Sequence, residues 1–272
     1  RQWDSYNGRR KRIMELSFWG LAGFPMVEPG DDLAQFIIDA ISENKRPLQD
    51  GDVIVIAQKV VSKAENRYLD LRTIEPSKRA IELSKKVQKD PRKVQAILNE
   101  SNEVVRAVPG VLIVEQKNGF VQANAGIDQS NIDVPGIDPE EVCLLLPENS
   151  DKSAAKIREK IRGALGREVG VIINDSLGRP WRVGTLGLAI GVSGLTALED
   201  YIGGQDIYGR ELQVTQVGAA DELAAGASLV MGQTTEKTPV VLVRGYYPKE
   251  PMDNELKGVG PLIRAKEFDL FR

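Results

Sequence analysis

Three short runs dense in β-branched residues constrain this chain most: Asp-Val-Ile-Val-Ile-Ala at 52–57, Val-Gly-Val-Ile-Ile-Asn at 169–174 and Pro-Val-Val-Leu-Val-Arg at 239–244. Runs of this length and content read as strands, and the second reads as a buried one. Helical patterns lie between them. Asp31 and Asp32 can cap a helix that carries Leu33, Phe36, Ile37 and Ile41 on one face. A second helical region spans 76–87, and a third opens with Asp90 as its cap and Pro91 at its first position, carrying Val94, Ile97 and Leu98. A helix at about 152–165 has Ala154, Ile157, Ile161 and Leu165 on one stripe, and an Ala-rich helix at 219–231 has Asp221 and Glu222 in its first turn, where the dipole favours them. Asn118-Gly119, between 111–115 and 120–123, marks a hairpin. Residues 212–217 are a further strand candidate, and 126–147, rich in Asp, Asn, Pro and Gly, reads as loop. Hairpins mixed with helices predict an α+β class, with mixed sheets and helices in two intertwined lobes, over a doubly wound sheet. The change of texture near 147–152 divides a single domain of 13–272 into sub-lobes 13–147 and 148–272, after a polar extension at 1–12.

Composition then narrows the chemistry. The 272 residues are 42% hydrophobic and 28% charged, which is globular and needs no covalent staples. A net charge of −3 provides no bulk field for nucleic acid or an anionic membrane, and neither is expected as a partner. The chain has no histidine, which removes every imidazole base, every Ser-His or Cys-His pair and every histidine metal ligand. Its one cysteine, Cys143, rules out an internal disulfide or thiolate zinc site, and reads as a small buried hydrophobe. Catalysis is left to carboxylates, amides, hydroxyls, Lys and Arg, a donor set suited to a hard cation such as Mg2+ or Mn2+. No run approaches the ~20 apolar residues of a membrane span, the opening residues lack the apolar core of a signal peptide, and a cytoplasmic protein is expected.

Four places gather groups suited to chemistry. Asp175 follows the buried run 169–174 and precedes Ser176, Leu177 and Gly178, as a carboxylate fixed at a strand end would. Asn124, Asp128, Ser130 and Asn131 crowd oxygen donors into one loop. Gln58, Lys59 and Lys63 follow directly on the strand at 52–57, the lysines spaced to share a helical face or to meet a phosphate. Met231, Gly232, Gln233, Thr234, Thr235, Glu236, Lys237 and Thr238 join the Ala-rich helix to the last strand as a small, hydroxyl-rich loop. Each also has a bland reading, as a turn cap, an Asx-turn cluster, a solvated lysine pair or a plain connector. No Walker A or G-x-G-x-x-G pattern occurs.

Taken together and in order, these stretches resemble the blocks of one family. They are Gly23-Phe-Pro-Met-Val-Glu-Pro-Gly-Asp-Asp32, Val60-Val-Ser-Lys-Ala-Glu65, Asn124-Ala-Gly-Ile-Asp-Gln-Ser-Asn131 and Ile173-Asn-Asp-Ser-Leu-Gly-Arg179. Ala189-Ile-Gly-Val-Ser-Gly194, Gly209-Arg-Glu-Leu212, Ala220-Asp-Glu-Leu-Ala224, Met231-Gly232 and Val240-Val-Leu-Val-Arg-Gly245 complete the series. The resemblance is to coenzyme F420-0:gamma-glutamyl ligases, over about residues 20–246. Ser176 stands where many members carry a residue such as Thr and keeps the hydroxyl, Gly184-Thr-Leu-Gly187 stands where a more polar match is expected, and the residues from Pro248 onward match no block.

That resemblance implies an intertwined α+β homodimer and a GTP-dependent amide ligase. Such an enzyme would add L-glutamate in gamma linkage to a deazaflavin acceptor, using Mg2+ or Mn2+ and an acyl phosphate. The family's metal ligands would fall on Asp128, Asp175, Ser176 and Gln233. Its nucleotide contacts would fall on Phe24, Pro25, Met26, Val27, Gln58, Lys59, Lys63, Asn131 and the loop from Met231 to Thr238. Catalytic roles would fall on Asp128, Asp175, Lys59 and Lys63. A folate or another glutamate-bearing acceptor, a metal-dependent phosphohydrolase and a non-catalytic nucleotide-binding protein remain alternative readings of the same residues.

Overall fold

Val-Ile-Val-Ile at 53–56 leaves no polar position on either face, so this strand requires cover on both sides. The computed structural model, which describes residues 15–248 and 257–271, supplies it. The expected extension at 1–12 lies outside the described residues. In chain order the first elements are β1 (Ser17–Gly20), α1 (Leu33–Glu43), β2 (Val53–Ala57), α2 (Gln58–Ala64), β3 (Tyr68–Asp70), α3 (Lys78–Val87) and α4 (Pro91–Asn99). There follow β4 (Ser101–Val108), β5 (Val111–Gln116), β6 (Val121–Ala123), β7 (Val142–Leu144) and α5 (Ser150–Leu165). The last are β8 (Gly170–Gly178), β9 (Thr185–Ser193), β10 (Glu199–Asp200), β11 (Gln216–Val217), α6 (Ala219–Met231) and β12 (Val240–Arg244).

The main sheet runs β1-β12-β2-β8-β9. Only β2 and β8 are parallel, in register from Val53 opposite Gly170 to Ala57 opposite Asn174. Alternation along the three apolar runs divides their side chains between two cores. Ile54, Ile56, Val171, Ile173, Val240 and Leu242 pack against Leu33, Ile37 and Ile41 of α1 and Ala154, Ile157 and Ile161 of α5. Val53, Val55, Ile172, Val241 and Val243 face Ala220, Leu223, Ala224 and Ala227 of α6. Each fully buried aliphatic side chain contributes roughly 1.5–3 kcal/mol, which makes this sheet the rigid frame. Gly191 lets α5 approach β9 closely, since a Cβ there would lie 2.5 Å from the Ser150 backbone.

A separate cluster forms where α3 and α4 cover the three-stranded sheet β4-β5-β6, with Ala80, Val94, Ile97, Leu112 and Val114 at its centre. Cys143 is buried there, as expected. The hairpin at Asn118-Gly119 forms between β5 and β6. The caps are also as read: the Asp32 carboxylate accepts from Gln35 N and the Asp90 carboxylate from Arg92 N.

Three expectations need correction. Residues 126–147 are not all loop: β7 pairs antiparallel with β3, and Asp128 bridges to Leu144. A three-residue strand is too short for alternation to show. Of the candidate 212–217, only Gln216–Val217 is strand, paired with Glu199–Asp200. The strand from 170 does not end at Asn174 but continues to Gly178, paired with β9, so Asp175 lies within a strand instead of at a turn.

Asp52, immediately before β2, is 1% exposed and locks the sheet across its lower edge. Arg244 Nε and Nη2 donate to its two oxygens at 2.8 and 2.7 Å. Asp52→Ala would leave Arg244 without its counter-ion and is expected to lower unfolding free energy by about 3 kcal/mol in urea titrations.

Candidate active site

Because β2 and β8 are parallel neighbours, they end side by side, and in open α/β sheets ligands occupy the crevice beyond such carboxyl ends. Here it is a cavity of about 370 Å3. One wall is α2, which starts on the residue after β2 and presents Gln58, Lys59 and Lys63. A second is β8, carrying Asp175 and Ser176 past the point where β2 stops. The pairing of β8 with β9 skips Ile190 at this place, Ile173 lying opposite Gly191 and Asn174 opposite Ala189. Bulges of this kind commonly re-aim side chains beside active sites.

The remaining walls are loops held by short-range bonds. Gly232 leaves α6 with a φ of +73°, and a Cβ there would lie 2.2 Å from the Glu236 side chain. Glu236 in turn accepts from Thr234 N at 2.7 Å, curling the 232–238 loop over the crevice. The segment at 24–27 is anchored by Phe24, edge-on to Phe36 of α1 at 6.2 Å, while Met26 is left exposed. The fifth contribution is the 124–131 loop. Its Asp128 is fixed by the backbone bridge to Leu144, and its Asn131 Nδ2 donates to Thr234 O at 3.3 Å.

The residues expected to hold a metal or a nucleotide therefore line one cavity: Phe24 to Val27, Gln58, Lys59, Lys63, Asp128, Asn131, Asp175, Ser176 and Met231 to Thr238; Asn124, also singled out as an oxygen donor, does not line it. Sequence reasoning read Ser130 only as an oxygen donor of its loop and gave Asn174 no role, yet both line the cavity. Ser130 turns back on Asp128, its N–H and hydroxyl donating to the carboxylate at 2.7 and 3.1 Å. Asn174 is buried, and its Oδ1 has no hydrogen-bond partner. An Asn closing an apolar strand was the available signal for it. A second cavity, of about 460 Å3, lies between β9 and residues 262–271, but its Lys266 is already paired with Glu103 and Glu115.

The charges in the main cavity are unequal. Lys59 Nζ lies 2.8 Å from Asp128 Oδ2, and also donates to Ser130 O and Oγ at 2.8 Å each. Burial works against the Asp128 carboxylate, but the Lys59 and Ser130 donors outweigh it and hold it below the usual range. Asp175 has only the Ser176 N–H at 2.8 Å. Burial, aided by the Asp128 charge, pushes its carboxyl up to about 6. Burial, then Lys59, lowers the Lys63 amine, which donates to Asn131 O at 2.8 Å. Ser176 Oγ donates to Gln233 Oε1 at 3.0 Å, bringing a hydroxyl and an amide oxygen beside Asp175. Among the described residues no three His, Cys, Asp or Glu side chains form a metal cluster. Two carboxylates and two neutral oxygens nevertheless line the same cavity, an all-oxygen set of the kind that suits a hard cation completed by ligand or water oxygens.

A sequence model of the F420-0:gamma-glutamyl ligase family matches residues 23–245, a span that contains every residue of this cavity. The chain belongs to that family. It is 53% identical over 265 residues to the coenzyme F420:L-glutamate ligase of Methanococcus maripaludis, covering 96% of this chain and 99% of the relative. To the protein of that name from Methanothermobacter thermautotrophicus it is 46% identical over 259 residues, 95% of this chain and 100% of the relative. For Archaeoglobus fulgidus the figures are 44% over 263 residues, 95% and 97%. The family model thus spans both flanking layers, every loop of the crevice and the main sheet except β1.

The raised Asp175 carboxyl has a consequence for stability. Titrating near 6 when folded and near 3.8 when unfolded, it binds protons preferentially in the folded state between those values. Stability therefore falls as pH rises through that window, and the loss persists above it. Asp175→Asn is expected to raise unfolding free energy by about 1–2 kcal/mol above pH 6.5, allowing for partial solvent screening, and by nothing near pH 3.5. Thermal melts at the two pH values check this.

Proposed function

We propose that this protein adds L-glutamate, in gamma linkage, to the deazaflavin coenzyme F420-0, in a reaction driven by GTP and dependent on Mg2+ or Mn2+. Family membership and the names of the relatives support a ligase that joins glutamate in F420 biosynthesis. The observation that carries the finer reading is the pairing of two carboxylates of opposite character, Asp128 and Asp175, with two lysines in one crevice. The same reading includes a cytoplasmic homodimer.

The reaction needs activation because a carboxylate does not condense with an amine at neutral pH, hydroxide being a poor leaving group. Transfer of the GTP γ-phosphoryl to the acceptor carboxylate breaks the β–γ anhydride bond, releases GDP and gives an acyl phosphate. The glutamate α-amine attacks its carbonyl carbon, inorganic phosphate leaves and the amide forms. In this scheme Lys59 and Lys63, one turn apart on α2, bind the polyphosphate and offset charge that grows on its oxygens. The 232–238 loop, with its hydroxyls and backbone N–H groups, covers the phosphates and excludes water, the competing nucleophile. A divalent ion held by Asp128 and Asp175, with Ser176 and Gln233 oxygens, would neutralise phosphate charge. No imidazole is needed, since positioning and charge neutralisation carry most of such a transfer.

The test is to incubate the protein with GTP, Mn2+, glutamate and either a deazaflavin or a folate acceptor, and to follow glutamate addition by mass spectrometry. Glutamate on the deazaflavin only is expected, with Asp128→Asn reducing turnover by about a hundredfold or more. Addition to folate alone would replace the acceptor, and GTP hydrolysis without amide would make the protein a phosphohydrolase.

A further inference from the structure

Lys59 is bound to the wrong partners for a phosphate-binding residue. Its ammonium has three N–H donors and three acceptors within 2.8 Å: Asp128 Oδ2, Ser130 O and Ser130 Oγ. Asp128 is equally engaged, Oδ1 by Ser130 N, and Oδ2 by both Lys59 and the Ser130 hydroxyl. Lys63, by contrast, contacts only the carbonyl oxygen of Asn131, and Asp175 accepts only from its neighbour's N–H. Within one crevice, then, one lysine and one carboxylate saturate each other while the second of each kind does not.

We propose that the Lys59–Asp128 pair is an internal latch that couples cation binding to nucleotide binding. This rests on the metal and nucleotide reading given above. Closed, the latch withholds Asp128 from a cation and Lys59 from a phosphate. A cation arriving alone must displace an ammonium from Asp128, and a nucleotide arriving alone must strip Lys59 of three oxygens. When both arrive together, each supplies the charge partner that the other removes: the phosphate takes Lys59 and the cation takes Asp128. The two ligands therefore favour each other's binding, and by linkage the factor is the same in both directions. Asp175, which lacks such a partner, is the open position at which a cation first engages.

The proposal makes a lysine an antagonist of metal binding, which a purely structural role would not. Mn2+ binding is measured on the whole protein by electron paramagnetic resonance without nucleotide, and again with a non-hydrolysable GTP analogue. Lys59→Met is expected to bind Mn2+ alone about fivefold more tightly than the unaltered protein, the scale of one partly exposed ion pair. The enhancement by nucleotide should shrink correspondingly. Lys63→Met removes the same charge from the same cavity without freeing Asp128, and should change Mn2+ affinity less than about twofold. Lys59→Arg keeps a cation on Asp128 and should bind Mn2+ no more tightly than the unaltered protein, with thermal melts confirming that each variant is folded. Unchanged or weaker Mn2+ binding by Lys59→Met would overturn the latch, as would an equal gain in Lys63→Met, which would reduce the effect to general electrostatics. An unaltered protein that binds no Mn2+ with or without nucleotide would overturn the metal reading itself.

Discussion

The parallel pairing of β2 with β8 is the interaction on which the rest depends. Among the described residues it is the only parallel contact in the main sheet, and it brings Ala57 level with Asn174. From that point one chain turns into α2, with Lys59 and Lys63 on its first turns, and the other continues one strand residue further to Asp175. Neither group reaches the other through a flexible loop. Cores on both faces hold the frame, and buried Ile, Val and Leu side chains resist the slip of register that would separate lysines from carboxylate.

Electrostatics then gives the two aspartates different roles. Asp128, on a loop braced against β7, has a lysine and two Ser130 donors, and is held ionised. Asp175, on the rigid strand, has a single N–H and is held partly protonated near neutrality. A carboxyl kept at a cost to the fold is the pattern of a group retained for something other than stability. The buried pair of Asp52 and Arg244 at the opposite end of β2 is, by contrast, fully matched.

Much of this was legible in the sequence. The apolar runs, the Asp32 and Asp90 caps and the Asn118-Gly119 hairpin depend on local chemistry, and local chemistry is what a sequence displays. The spacing of Lys59 and Lys63 was readable because four residues make one helical turn. What escaped was set by partners distant along the chain. β7 is only three residues long and exists because Tyr68 to Asp70 lies opposite it. Asp175 looked like a strand end because Asn174 breaks the apolar run, yet β9, with Ile190 bulged, prolongs the pairing to Gly178. Ser130 read as one oxygen donor among several, since nothing local indicates that Lys59, 71 positions earlier, would lie across it.

The central claim is that Asp128 and Asp175, remote in sequence, serve one cation beside a nucleotide. The most direct measurement is a crystal structure with Mn2+ and a non-hydrolysable GTP analogue, with the metal located by its anomalous scattering. The account predicts one Mn2+ peak with oxygens of both aspartates at about 2.1 Å, the normal range for such an ion, and phosphate oxygens completing its shell. A metal bound to one aspartate alone, or a nucleotide seated away from the β2–β8 crevice, would contradict it.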